Sequence, residues 1–341
     1  GMQDAFNKLA HTLRSVFLLF LAGVSLFLIW IYTPPSPEIQ LLSDPLENAS
    51  PLKKEVYASS DPMVILGYEL LVNTSLHIGP QVSDPQKRYT GNKLECVSCH
   101  LNEGTKAFGI PLNTVVSRFP QYRGREDKIG SLEERINGCL NRSMNGRSMA
   151  IDQKEMKAFV AYLNWLSEFK TEEMQLATAR EKGLKDFDWP NRAADLKQGK
   201  AVYAQHCALC HRLGGGGKFD SQTAQYLYPP LWGKDAYNNG AGMTRLLTSA
   251  SFIKYNMPFG VSHQAPILTD SEAYDVAAYI NQQERPKKSE LAADFPDKLK
   301  KPLSTPYGPY TDPFPVSQHQ LGPYRPIADF YEEVFGLVKI K

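Results

Sequence analysis

Cys96-Val-Ser-Cys99-His100 and Cys207-Ala-Leu-Cys210-His211 constrain this chain more than anything else in it. Two thiols separated by two residues, with histidine next in line, form the attachment signature of a c-type haem. The gap lets one turn of backbone reach both vinyl groups with thioether bonds while the imidazole points at the iron. Zinc and disulfide readings fit less well, because both pairs carry the histidine and both follow a segment that reads as helix. The chain must therefore build two clefts for two covalently bound c-type haems.

The surroundings of the two motifs repeat. A helix is predicted over 194–206, running into the second motif, and another over 271–281 closes that unit; residues 156–166 have the helical apolar spacing that would close the first. Helix, motif, loops and a last amphipathic helix give a mainly α fold with two class I cytochrome c-like domains in tandem, preceded by one N-terminal transmembrane helix. The expected division is a membrane anchor at 1–32, a stalk at 33–60, a first, catalytic domain at 61–169 and a linker at 170–192. A second, electron-transfer domain follows at 193–285, then a Pro- and Tyr-rich extension at 286–341. Its aromatic content suits packing against the haem units, with a short helix near 327–338. Trp189-Pro190 suits a linker that passes over the surface.

Residues 15–32 are uncharged, strongly apolar and long enough for one bilayer crossing, with Lys8 and Arg14 before them and prolines after. Positive charge on the amino side orients the segment with that side in the cytoplasm, so the haem units lie on the periplasmic side. A cleaved signal peptide is the alternative; it would export the same units, but no Ala-x-Ala site precedes Thr33. The formal net charge of +2 over 341 residues, without a basic run, excludes a nucleic-acid partner.

Distal ligands separate the two haems. Met257-Pro258, downstream of His211 and just before the closing helix, stands where a class I cytochrome c places its thioether, so Met257 is expected on the second iron; Met243, Lys254 and His263 are the alternatives. The first unit has no Met-Pro. It has instead Ser131-Leu-Glu-Glu134, a capping box that starts a helix, running through Cys139 to a stop at Asn145-Gly146. Arg135, Cys139 and Ser143 recur at four-residue steps and share a face. Gly138 reads as room for a flat, bulky group such as haem.

Cys139 is the fifth and unpaired cysteine. A buried, inert thiol is the plain reading. Six arginines between Arg118 and Arg147 shift it toward a thiolate able to bind iron or attack sulfur. Met144, Met149 and His77 are the other distal candidates for the first haem. A thiolate ligand would lower that haem's potential below the Met-ligated one and send electrons from the first site to the second.

These residues resemble the dihaem thiosulfate dehydrogenases over roughly 60–325. The match rests on Tyr122-Arg-Gly-Arg125, on the helix from Arg135 to Gly146 with Cys139 in register, on both haem motifs, on Met257-Pro258 and on the tail from Gln318 to Tyr324. The resemblance implies oxidative joining of two thiosulfates into tetrathionate. Cys139 would be both distal ligand and catalytic sulfur, with Arg125, Arg135 and Ser143 around the substrate. Electrons would pass from the first haem, on His100 and Cys139, to the second, on His211 and Met257, and on to an external acceptor. Some members carry Lys directly before the methionine; here Asn256 stands there, which favours simple Met257 ligation. Rival readings are tetrathionate reduction by the reverse reaction, a membrane-anchored dihaem carrier without catalysis, and a cytochrome peroxidase, for which the thiol has no use.

Overall fold

The computed structural model describes residues 1–32, 49–168 and 183–339; most of the expected stalk and linker, at 33–48 and 169–182, lies outside the described residues. The chain divides into two compact units, Gly1–Glu55 and Val56–Lys341. The first is dominated by a helix over Met2–Tyr32. Its stretch Met2–Ser25 is long and apolar enough to cross a membrane, and its most apolar 18-residue window has nothing buried.

Both haem motifs lie in the second unit, within two domains built on one frame. In the first domain helix Pro62–Val72 crosses helix Lys154–Glu168; in the second, Leu196–His206 crosses Asp270–Asn281. Each crossing closes on a glycine. A Cβ at Gly67 would stand 2.0 Å from the Ala158 carbonyl oxygen, and one at Gly199 would stand 2.1 Å from that of Asp275. Tyr162 and Tyr279 pack beside these two glycines, so the duplication is legible in the helix contacts as well as in the haem motifs. Asp61 and Asp195 cap the leading helices by accepting from Met63 N and Lys197 N, both at 2.8 Å.

Two short antiparallel hairpins, too brief to show a strand pattern in sequence, interrupt the helices. One pairs Gln121–Arg123 with Lys128–Gly130 and the other Lys218–Asp220 with Gln225–Tyr228. The first hairpin carries Tyr122-Arg-Gly-Arg125 toward the domain boundary.

The C-terminal segment is structural. Helices Val316–Leu321 and Arg325–Phe335 bring Tyr324, Ile327 and Tyr331 into the core of the second domain. Ala194 N donates to Leu321 O at 2.8 Å. Phe187 belongs to the same core and Trp189 packs against it, edge-on to Tyr324, so this part of the linker is anchored rather than passing over the surface. The core of the first domain is completed from outside: Tyr237 and Ala241 are buried among Leu140, Met144, Met149, Met156 and Phe159.

Candidate active site

Ser131 begins the helix Leu132–Arg142 with the reciprocal cap its sequence predicts. Glu134 N donates to Ser131 Oγ at 3.3 Å, and Ser131 N donates back to the Glu134 carboxylate at 2.9 Å. The helix stops where Asn145 turns left-handed, at φ 48°. Between these limits the four-residue spacing does what it predicts: Arg135, Cys139 and Ser143 line one cavity. Cys96, Cys99 and His100 line the same cavity, and Ile110, Leu112, Val115, Ile136, Phe159 and Leu163 make the lining apolar.

His100 Nδ1 lies 2.7 Å from Ile110 O, and His211 Nδ1 lies 2.8 Å from Pro229 O. A carbonyl only accepts, so each Nδ1 carries the proton and each Nε2 presents its lone pair, the form that binds iron. The residues present thus fit two c-type haems. Met257, at the end of helix Leu246–Asn256, packs against the same core as Cys207 and Ala208. Lys254 is engaged by Asp270, and Asn256 Nδ2 donates to Phe108 O at 3.0 Å, across the domain boundary.

Arg135 Nη1 is 2.7 Å from Cys139 Sγ. Burial alone raises a thiol, and it pushes Cys96 and Cys99 in the same cavity up to about 12. For Cys139, burial is outweighed by the Arg135 charge, by the nearby His100 ring and by the Arg135 hydrogen bond, which bring the thiol down to about 6. One thiol in this cavity is therefore a thiolate at neutral pH.

Several sequence-derived placements change. Gly138 does not face the cavity: a Cβ there would stand 3.0 Å from Arg123 Nη2, so the flat group it accommodates is a guanidinium. Of the other distal candidates, Met144 lines the cavity, Met149 is buried in the core, and His77 turns to Glu69 at 3.7 Å. Met243, considered for the second haem, lines the first cavity, as does Tyr237. Arg125 is not among the lining residues; its Nη1 donates to Gly240 O at 2.7 Å and lies 3.5 Å from Asp294.

Sequence reasoning missed the group beside the cavity. Asp294, in the C-terminal segment, takes Arg142 in a fork at 2.7 and 2.9 Å and accepts from Tyr307 at 2.7 Å. Asn238 Nδ2 donates to Asn141 O and Asn145 Oδ1, pinning the second domain's loop to the Cys139 helix. No local pattern marks these residues, because their partners lie far along the chain.

Residues 86–170 match the family described as SoxA/TsdA, cytochrome c domain, and residues 196–284 match Cytochrome c. A thiosulfate dehydrogenase of Stutzerimonas stutzeri (strain A1501) is 39% identical over 220 residues, covering 64% of this chain and 69% of that protein. One from Thiomonas intermedia (strain K12) is 33% identical over 256 residues, covering 74% and 76%. The solved thiosulfate dehydrogenase TsdBA of Marichromatium purpuratum, in its as-isolated form, superposes with a TM-score of 0.58 at 33% identity. That match covers 76% of this chain and spans half of the longer TsdBA chain.

Proposed function

Because the chain belongs to the thiosulfate dehydrogenases, we propose that it joins two thiosulfates through their outer sulfur atoms into tetrathionate, with Cys139 as the attacking sulfur. The observation that carries this reading is the 2.7 Å contact of Arg135 with Cys139 Sγ in a cavity walled by a haem-attachment motif. A guanidinium at that distance holds the thiol ionised and attracts a dianion to the same place.

In the first half-reaction Cys139 Sγ bonds to the outer sulfur of one thiosulfate, giving a Cys-S-S-sulfonate and releasing two electrons. Two c-type haems, held by the Cys96–His100 and Cys207–His211 motifs, would supply one-electron acceptors for the two electrons, on the way to an external acceptor. In the second half-reaction the outer sulfur of another thiosulfate attacks the Cys-bound sulfur. The Sγ–S bond breaks, tetrathionate leaves and the thiolate is restored with no further change in oxidation state. Arg135 and Ser143 orient the first sulfonate, and Arg125 adds positive charge at the domain boundary. His100 and Cys139 would hold the first iron, and His211 and Met257 the second. The helix Met2–Tyr32 anchors the haem units at the periplasmic face of the membrane.

The test is thiosulfate turnover with an artificial acceptor by the parent and by Cys139→Ala, alongside low-temperature EPR. The substitution is expected to abolish turnover and remove a thiolate-type low-spin signal. Undiminished activity in Cys139→Ala would refute the mechanism.

A further inference from the structure

Gly240-Ala-Gly242-Met243 passes between guanidinium groups of both domains. A Cβ at Gly240 would stand 2.9 Å from Arg142 Nη1, and one at Gly242 would stand 3.0 Å from Arg245 Nη2. Arg125 rests on the Gly240 carbonyl, while Met243, two residues from Arg245, reaches into the Cys139 cavity. Arg125, Arg142 and Arg245 are thus gathered at the cavity's edge, with Arg135 inside it.

Their partners are unequal. Arg142 owns the Asp294 fork, Arg125 has Gly240 O and the edge of Asp294, and Arg135 has Cys139 Sγ. Among the described residues, Arg245 has a single acceptor, Gly242 O at 3.4 Å from its Nε. A guanidinium carries five N–H donors, and the half-buried Arg245 spends one of them on a long hydrogen bond, which leaves donors for a ligand with several acceptors. Asp294 cannot, since its oxygens already serve Arg142, Tyr307 and Arg125. Burial and then the charge of Arg125 depress Arg245 to about 10, which leaves it cationic at neutral pH. Arg125, Arg142 and Arg245 stand together around one carboxylate, Asp294, so this edge of the cavity is positive and suits an anion.

We propose that Arg245, with Arg125, forms a second anion subsite beside the Cys139 cavity, which holds the sulfonate of the second thiosulfate while its outer sulfur attacks the Cys-bound sulfur. The subsite rests on the thiosulfate-joining reading and deepens it. It takes a tetrahedral sulfur oxoanion, and it explains why the electron-transfer domain contributes an arginine to chemistry performed on the other domain. Asp294, by occupying Arg142, fixes the orientation of the cluster without neutralising Arg245.

The experiment uses the full dihaem protein as parent, Arg245→Gln, Arg245→Lys and Cys139→Ala, with thiosulfate and ferricyanide. Arg245→Gln is expected to raise KM for thiosulfate about tenfold or more with a smaller change in kcat. It should also accumulate a thiosulfate adduct on Cys139, seen by mass spectrometry, because adduct formation outpaces its release. Arg245→Lys keeps the charge and loses the fork, so its KM should fall between parent and Arg245→Gln, and above parent even if the Gln variant does not fold. A parent-like KM in the Lys variant, absence of extra adduct in a folded Gln variant, or equal losses in the two would overturn the proposal. If instead Cys139→Ala turns over and the parent forms no adduct, the underlying reading fails whatever Arg245 does.

Discussion

Replacing Arg135 with glutamine removes the cation that touches Cys139 Sγ and keeps the side chain's length and some of its hydrogen bonding. At 2.7 Å from Sγ, a unit charge pair contributes about 6 kcal/mol at an effective dielectric near 20. A charge-assisted hydrogen bond measured by mutation contributes roughly 1.5–3 kcal/mol. These figures bracket the loss at about 2–6 kcal/mol, or roughly 30-fold to 10⁴-fold in kcat/KM for thiosulfate. The pH profile carries the sharper signature. In the parent the Cys139 thiol sits at about 6, below its ordinary 9.0, so the thiolate persists above pH 6 and is lost as pH falls through that value. Its contribution to stability has the same sign, complete above about pH 9 and lost as pH falls to 6 and below. Without Arg135, burial prevails and the thiol moves back up from about 6. Ferricyanide reduction by thiosulfate, followed from pH 5 to pH 9, should show an acid limb near or below 6 in the parent and activity still rising at pH 9 in the variant. An Arg135→Gln protein with the parent's profile and kcat/KM would show that this arginine neither ionises the thiol nor positions the substrate.

Asp294→Asn leaves Arg142 and Arg125 without their carboxylate in a largely buried cluster, and breaking such a pair costs about 3–5 kcal/mol. Thermal unfolding should show a lower Tm that millimolar sulfate or thiosulfate partly restores in the variant and hardly changes in the parent. Gly199→Val forces a side chain into the Asp275 carbonyl, 2.1 Å from the new Cβ, so the helix crossing must open. Chemical denaturation should register a loss of at least about 1–3 kcal/mol, and an unchanged midpoint would mean that the crossing is looser than its geometry shows.

What the sequence disclosed was local. The haem motifs, the Ser131–Glu134 cap, the Asn145 stop and the shared face of Arg135, Cys139 and Ser143 each depend on spacing within one or two turns, and spacing is written in the chain. Gly138 shows where that kind of reading ends, because a missing side chain announces a close approach without naming what approaches. The hairpin bearing Arg123 and Arg125 is three residues a side, too short for an alternation to appear. Tyr237, Met243, Arg245, Asp294 and Tyr307 reach the site from distant parts of the chain. Their roles follow from how two domains and a tail pack, and a residue whose partner is a hundred positions away carries no periodic mark. The same limit applies to Gly67 and Gly199, whose purpose appears only when the opposing helices are in place.

The loop that brings Tyr237 and Met243 to the Cys139 cavity also bears on ancestry and on engineering. A duplicated module can be shuffled, lost or grafted only while each copy completes itself. Here the later copy supplies part of the wall, part of the core and an arginine to the earlier one, while the C-terminal segment supplies Asp294. No cut between the haem motifs leaves the Cys139 cavity whole. The first cytochrome therefore depends on the second for its own shape, and a chimera joined between them would exchange one haem domain at the expense of the wall of the other.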